Sequence, residues 1–242
     1  MTKKLSLLFL ICFLSALNIY ATVYSGSCGT NVRYSLDTST GLLSITGTGA
    51  MKNYGSYSSV PWYSNKSYIK VVEISDGVTS IGYNAFYGCS GLTSITIGNS
   101  VTEIEYSAFS GCSGLTKVTI NSNAIVSKSY NSHSSLKSIF GSQVKEYYIG
   151  EGVTTIGQWA FHECYSLTSI TIPNSVKSIE KGAFYNCTGL TSVTIPYGVT
   201  SIVGSAFYGC SGLTSVTIPA SVTSLEGAFT SCPSLTKVIL NN

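Results

Sequence analysis

A register of about 23 residues returns seven times along this chain, and no other feature constrains its fold as strongly. Cys89, Cys112, Cys164, Cys187, Cys210 and Cys232 lie 23, 52, 23, 23 and 22 positions apart, the 52 being one ordinary repeat and one of 29. A fixed period in this range describes a solenoid, in which each repeat is one coil and no coil buries its apolar side alone. Such a molecule offers a long surface and, by default, no enclosed active site.

The repeats start at Val72, Ile95, Val118, Tyr147, Ile170, Val193 and Val216, with a partial eighth at Val238. Residues 193–195, Val-Thr-Ile, alternate as a strand with one buried face does. Pro196 ends the strand, because proline has no N–H to give a ladder. Val199 and Ile202 follow, then the pair Ala206-Phe207, then Cys210 and Leu213, at spacings that suit a short helical or 3₁₀ turn. Gly209 and Gly212 supply the bends. Read across the join, Leu190-x-x-Val193-x-Ile195 is the strand motif of a leucine-rich repeat. The expected fold is therefore an α/β-type leucine-rich-repeat solenoid over 72–242, with one short strand and one short helical or 3₁₀ turn per repeat. Phe86, Phe109, Phe161, Phe184, Phe207 and Phe229 recur in register and predict an aromatic spine with rings about 4.8 Å apart.

The six repeat cysteines hold equivalent inward positions. Their Cβ atoms would sit about 4.8 Å apart, beyond the roughly 3.5–4.5 Å of a good disulfide, so a ladder of buried thiols is expected. No C-x-x-C and no histidine cluster suggests a metal, and no cofactor motif is present. Gly47-Thr-Gly49 lacks the remaining glycine of a dinucleotide loop.

Lys3 and Lys4, an apolar run from Leu5 to Leu17 and the small residue Ala21 read as a secretory signal peptide over 1–21, cut after Ala21. The run is shorter than the roughly 20 residues of a membrane span. Its removal lowers the formal charge from +3 to +1, which steers the chain toward neither nucleic acid nor an acidic membrane. Only 10% of the residues are charged, against about 25% in an ordinary soluble domain. A surface of Ser, Thr, Gly and Tyr suits many weak contacts and offers little positioned charge for chemistry. The expected location is secreted or cell surface.

Two regions leave the rhythm. Residues 22–71 alternate as strands around Tyr34-Ser-Leu36 and Leu42–Thr46 and end in the aromatic set Tyr54, Tyr57, Trp62 and Tyr63, which suggests a β-rich N-terminal cap. Repeat three lacks both Ala-Phe and Cys. It carries an insert over 127–138, expected to bulge outward as insertions in solenoids do.

Together these features resemble the BspA-like leucine-rich-repeat family of secreted or surface proteins. The resemblance rests on V-T-I-P-x-S-V-T-S-I-x-x-x-A-F-x-x-C-x-x-L-T-S, on Cys28-Gly-x-Asn-Val, on Leu42-x-x-Ile-x-Gly-Thr-Gly-Ala-Met51 with Pro61-Trp62, and on the variant repeat ending Phe140-Gly-Ser-Gln-Val144. It implies a right-handed solenoid and adhesion to host or matrix proteins or to other cells, and brings no catalytic residues with it.

Few catalytic constellations compete. His162 and Glu163 with a nearby serine could be imagined as a triad, but no Gly-x-Ser-x-Gly is present. His162 also stands where sister repeats have Tyr87, Ser110, Tyr185 and Tyr208, which predicts a surface position. His133 lies in the insert, and Glu103 with Glu105 is a weak carboxylate pair. The chain reads as a non-enzyme. The expected binding surface is the outward strand file, Glu73, Thr96, Thr119, Tyr148, Thr171, Thr194 and Thr217. Lys117, Glu146 and Tyr148 interrupt its Thr/Ser monotony, with Thr119 and Thr171 alongside and the insert expected beside them. The expected partner is an extracellular protein or glycoprotein. The rival expectation is a structural protein that self-associates through the edge of the C-terminal strand, Val238 to Leu240.

Overall fold

Residues 22–131 and 133–241 are described in a computed structural model. The expected leader and its cleavage after Ala21 fall on residues 1–21, outside the described residues. At the N-terminal end β1 (Val23–Ser27), β2 (Val32–Asp37) and β3 (Leu42–Gly47) form an antiparallel meander, followed by β4 (Gly49–Ala50) and two 3₁₀ turns, Tyr57–Ser59 and Tyr63–Tyr68.

From there the chain coils, and five of the coils contribute a strand to each of two faces. In chain order the strands are β5 (Val71–Ile74), β6 (Val78–Ile81), β7 (Ser94–Ile97), β8 (Glu103–Ile104), β9 (Lys117–Ile120), β10 (Glu146–Ile149), β11 (Thr155–Ile156), β12 (Ser169–Thr171), β13 (Ser178–Ile179), β14 (Ser192–Thr194), β15 (Ser201–Ile202), β16 (Ser215–Pro219) and β17 (Lys237–Asn241). The main face runs β1-β2-β3-β5-β7-β9-β10-β12 and resumes as β14-β16-β17; a narrower second face is β4-β6-β8 and β11-β13-β15. The register on the main face is the expected one. Val72, Ile95, Val118, Tyr147 and Ile170 align inward, while Glu73, Thr96, Thr119, Tyr148 and Thr171 align outward. The second strand that five of the coils carry, β6, β8, β11, β13 and β15, is an addition to the sequence reading, which saw only Val199 and Ile202 at that place.

The third side of each coil is a run of tight turns. Phe86 accepts from the Cys89 N–H and Cys89 from the Leu92 N–H, both i→i+3 bonds of the 3₁₀ kind. Two left-handed residues bracket every Ala-Phe pair of the regular repeats: Asn84 and Gly88, Ser107 and Gly111, Trp159 and Glu163, Gly182 and Asn186, Ser205 and Gly209, Gly227 and Ser231. That geometry costs an L-residue about 1–2 kcal/mol, which explains the Gly, Asn and Ser found there and makes Trp159 and Glu163 exceptions. At Gly182 the reason for glycine is doubled, since a Cβ would stand 2.5 Å from the Trp159 ring.

The core is a one-dimensional stack. Ring centroids run Trp62–Phe86 5.6 Å, Phe86–Phe109 5.2 Å, Phe109–Phe140 5.1 Å, then Phe161–Phe184 5.0 Å, Phe184–Phe207 4.8 Å and Phe207–Phe229 5.0 Å. Repeat three is not a gap in this spine. Its helix α1 (Asn123–Val126) buries Ile125 and Val126, and α2 (Leu136–Phe140) delivers Phe140 into the aromatic file. Tyr147 then bridges Phe140 (6.4 Å) and Phe161 (4.9 Å) edge-on. Its hydroxyl is buried without a partner, and burial drives its pKa well above the ordinary value.

The cysteines follow the expectation of a thiol ladder. All seven among the described residues are unpaired. Cys112, Cys187, Cys210 and Cys232 each donate to the carbonyl of the Phe one coil earlier, Phe86, Phe161, Phe184 and Phe207, all at 3.1 Å. Burial pushes Cys89, Cys112, Cys164 and Cys210 up to about 12; such thiols are inert small hydrophobes rather than nucleophiles. Toward the C-terminal end the burial fails. Val222, Leu225, Phe229, Cys232 and Leu235 are only partly buried, and Val238 and Leu240, in register with the buried Val216 and Ile218, are exposed.

Candidate functional site

On the outer side of the main face the five expected binding residues come together. Glu146 pairs in register with Lys117 and Tyr148 with Thr119 on one side, and Tyr148 with Thr171 on the other. Lys117 Nζ lies 3.6 Å from Glu146 Oε2 and 4.7 Å from the centre of the Tyr148 ring, while the Tyr148 hydroxyl donates to Glu146 Oε2 at 3.1 Å. The arrangement follows from the strand itself. Residues 146 and 148 share a face because the period is two, and 117 and 146 are neighbours because parallel strands in this register stand about 4.8 Å apart. Both charged side chains are nearly half exposed, so the ion pair contributes at most about 1 kcal/mol to stability. A cation over an exposed ring adds roughly 0.5–1 kcal/mol. The triangle fixes the orientation of one tyrosine in a file of threonines.

The imagined triad is not built. His162 is 7% exposed, not on the surface as its register predicted. Its ring is wedged between Trp159 at 5.1 Å and Tyr185 at 5.5 Å. Burial holds its pKa below the ordinary 6.5, with Glu163 opposing. Ser135 Oγ donates to the His162 carbonyl, not to the ring, and Glu163 is bound to Lys137 at 2.8 Å, the contact that most lowers its pKa. Trp159 and Tyr185 cover the ring, and the insert, which the sequence reading placed elsewhere, reaches the His162 carbonyl and Glu163. Only part of 127–138 bulges: Lys128, Ser129, Asn131 and His133 are exposed, whereas Tyr130, Ser135 and Leu136 are buried. The Tyr130 N–H donates to Gln158 and the Leu136 N–H to Ala160, and Lys137 lies 5.1 Å from the Tyr165 ring. The insert thus packs on the turn side of the following coil, around 157–165, and not beside Tyr148.

Two features escaped the sequence reading. One is a cleft of about 620 Å³ beside the meander, lined by Ser27, Cys28, Met51, Lys52, Tyr54 and Ser59 among others; no motif marks it. The other is a break in the main face between β12 and β14, where no ladder joins the strands. No single residue marks it: proline leaves the strand at Pro173, Pro196 and Pro219, yet the β10–β12 and β14–β16 ladders close. Among the described residues no group of three or more His, Cys, Asp or Glu could hold a metal, and no helix is long and apolar enough to cross a membrane.

A comparison with curated proteins gives no match. Solved structures that resemble the chain include a leucine-rich repeat protein from Eubacterium ventriosum (23% identity, 91% of this chain and 79% of that one, TM-score 0.42). A leucine rich cell surface protein from Faecalibacterium prausnitzii matches at 19% identity over 91% and 95% of the two chains, TM-score 0.42. The T. pallidum leucine rich repeat protein matches at 24% over 88% and 82%, TM-score 0.42. The pattern of the BspA type leucine rich repeat region, in six copies, matches residues 61–150 and 140–242. With the repeat, the thiol ladder and the family pattern covering most of its length, the chain belongs to the BspA-type leucine-rich-repeat family.

Proposed function

We propose that this protein is an extracellular binding protein whose main strand face engages a partner protein or glycoprotein, with Tyr148 as the anchor and Lys117, Glu146, Thr119 and Thr171 around it. The observation that carries the reading is the closed Lys117–Glu146–Tyr148 triangle. It holds the single aromatic of the outward file Glu73 to Thr217 in one orientation, and rigid tyrosines are favoured anchors because they lose little entropy on binding. Solenoids of this kind present extended surfaces for protein recognition. The basic start and short apolar run before Ala21 support secretion. Adhesion to matrix proteins or to other cells is the activity expected of such a surface.

The test is retention of the purified chain on immobilised matrix glycoproteins and on epithelial cells. Retention that survives 0.5 M salt fits a near-neutral contact face, whereas loss with modest salt would point to charge instead. A second reading, structural self-assembly, is favoured by the exposed Val238 and Leu240 on β17 and the partly buried Phe229 and Leu235 beneath them. A mass that grows with concentration in light scattering, together with no retention on any matrix, supports assembly over adhesion.

A further inference from the structure

One junction between coils is incomplete along the tight turns. Elsewhere two N–H groups reach forward to the next coil: Phe86 and Gly88 donate to Ala108 and Ser110, Phe161 and Glu163 to Ala183 and Tyr185, Phe184 and Asn186 to Ala206 and Tyr208, and Phe207 and Gly209 to Ala228 and Thr230. Repeat three reaches repeat four through the Leu136 N–H, which donates to Ala160. At the junction of repeats two and three the equivalent N–H groups belong to Phe109 and Gly111, and among the described residues neither has a hydrogen-bond partner. Phe109 is only 3% exposed, and a buried donor left unpaired is costly.

The cause is the variant repeat. In the regular coils the carbonyl of the Ala before each Phe points back and accepts the first of these bonds. In repeat three the Phe140 ring keeps its place, 5.1 Å from Phe109. Ile139 stands for the Ala, however, and belongs to α2, whose carbonyls lie along the helix axis. Between the two repeats lies a cleft of about 260 Å³, with residues 109–113 as one wall and Ser138 to Gly141 as the other. Gln143 Nε2 ties the walls together at one end, donating to the Cys112 and Phe140 carbonyls at 2.9 Å each. The cleft opens at the corner where the turns lead into β9 and β10: Ser113 stands four residues before Lys117, and Gln143 three before Glu146.

We propose that this cleft is a subsite for an N-acetylated sugar residue on the partner glycoprotein. Its lining contains no charged residue, so a carboxylate, sulfate or phosphate finds no counter-charge. The ligand that matches is neutral and rich in oxygen acceptors. An acetamido carbonyl takes one of the free N–H groups and a ring hydroxyl the other. Ile139 gives the acetamido methyl an apolar wall, and the exposed Ser110 and Ser113 meet the remaining hydroxyls. Because Gln143 closes one end, a polypeptide cannot run through, and the volume suits a single sugar ring. The subsite rests on the reading above for its glycoprotein partner but not for its chemistry.

The test is a titration of the isotopically labelled full chain, followed by NMR at the backbone amides. The probes are diacetylchitobiose and cellobiose, which shares its linkage and lacks only the acetamido groups. Diacetylchitobiose should shift the Phe109 and Gly111 amides saturably, and cellobiose at the same concentration should not. Ser110→Tyr takes the residue of the sister coils at Tyr87, Tyr185 and Tyr208, which keeps the fold and lays a ring over the mouth of the cleft. It should weaken the sugar by about fivefold or more. Equal shifts with cellobiose or with N-acetyl-dialanine amide overturn the inference. So does an absence of shifts at Phe109 and Gly111 up to the solubility limit of diacetylchitobiose, or a Ser110→Tyr chain that binds as wild type. Tyr148→Ala should leave the sugar shifts unchanged. Sugar shifts absent while Tyr148→Ala still abolishes glycoprotein retention defeat the subsite alone; sugar shifts present while Tyr148→Ala is retained as wild type defeat the Tyr148 anchor alone.

Discussion

From Val71 to Ile149 the main face is carried by four-residue strands in an unbroken sheet, and its outer file holds Glu73, Lys117, Glu146 and Tyr148. From Ser169 onward the same register continues in Thr171, Thr194 and Thr217, but β12 and β14 shrink to three residues and the sheet parts between them. Inside, the two halves are alike: the Phe stack is as close at Phe184–Phe207 as at Phe86–Phe109. The contrast separates two sources of cohesion in a solenoid. Stacked apolar rings and turn-side hydrogen bonds hold coil to coil whether or not the sheet ladder closes, and the ladder decides how the outer face is presented.

That division can be broken most forcefully at the stack. Phe184 lies at the level of that break, fully buried between Phe161 and Phe207, so Phe184→Ala should cost about 3–5 kcal/mol in chemical denaturation. Phe229→Ala, in the partly open last coil, should cost clearly less. Equal losses would argue against a stack in which each coil depends on two neighbours. Next in size is Gly182→Ala. The residue is left-handed at φ 64°, and its new Cβ would meet the Trp159 ring; a loss of about 2 kcal/mol is expected from backbone strain and overlap, measured the same way.

Much of this comparison was legible in the sequence, and unevenly so. Strand register was, because a period of two leaves no freedom once Val193 and Ile195 face inward, and the thiol ladder was, because equivalent positions stack. His162 was not. Its register mates Tyr185 and Tyr208 are less buried; the His162 ring is covered by Trp159 and Tyr185, while the insert folds back through Ser135 and Lys137 onto its backbone and onto Glu163. Insert placement depends on tertiary contacts of Tyr130 and Leu136 that no local pattern encodes. The grouping of Lys117, Glu146, Thr119 and Thr171 with Tyr148 was legible because a break in a monotonous file is visible in one dimension; the break between β12 and β14 was missed because proline also ends strands whose ladders close.

A smaller effect, one of pH, sharpens the contrast. Burial holds His162 below 6.5 in the folded chain, so between that value and its folded pKa the unfolded state binds the proton and the folded state does not. Stability should therefore fall as pH drops below about 6.5. His162→Tyr, the residue of the sister coils, should flatten that slope between pH 7 and 5 in urea titrations; an unaltered slope would place the titrating group elsewhere.

The central claim, that recognition belongs to the strand face and not to the turn side, is tested most directly by two tyrosines. Tyr148 stands in the Lys117–Glu146 triangle on the strand face, and Tyr208 stacks 4.8 Å from Tyr185 on the turn side. Affinity for an immobilised matrix glycoprotein that retains the wild-type chain should fall about 30-fold or more in Tyr148→Ala, the loss of a hot spot worth roughly 2 kcal/mol, and stay within about twofold in Tyr208→Ala. The reverse pattern, with Tyr148→Ala binding as wild type and Tyr208→Ala losing affinity, would contradict the account.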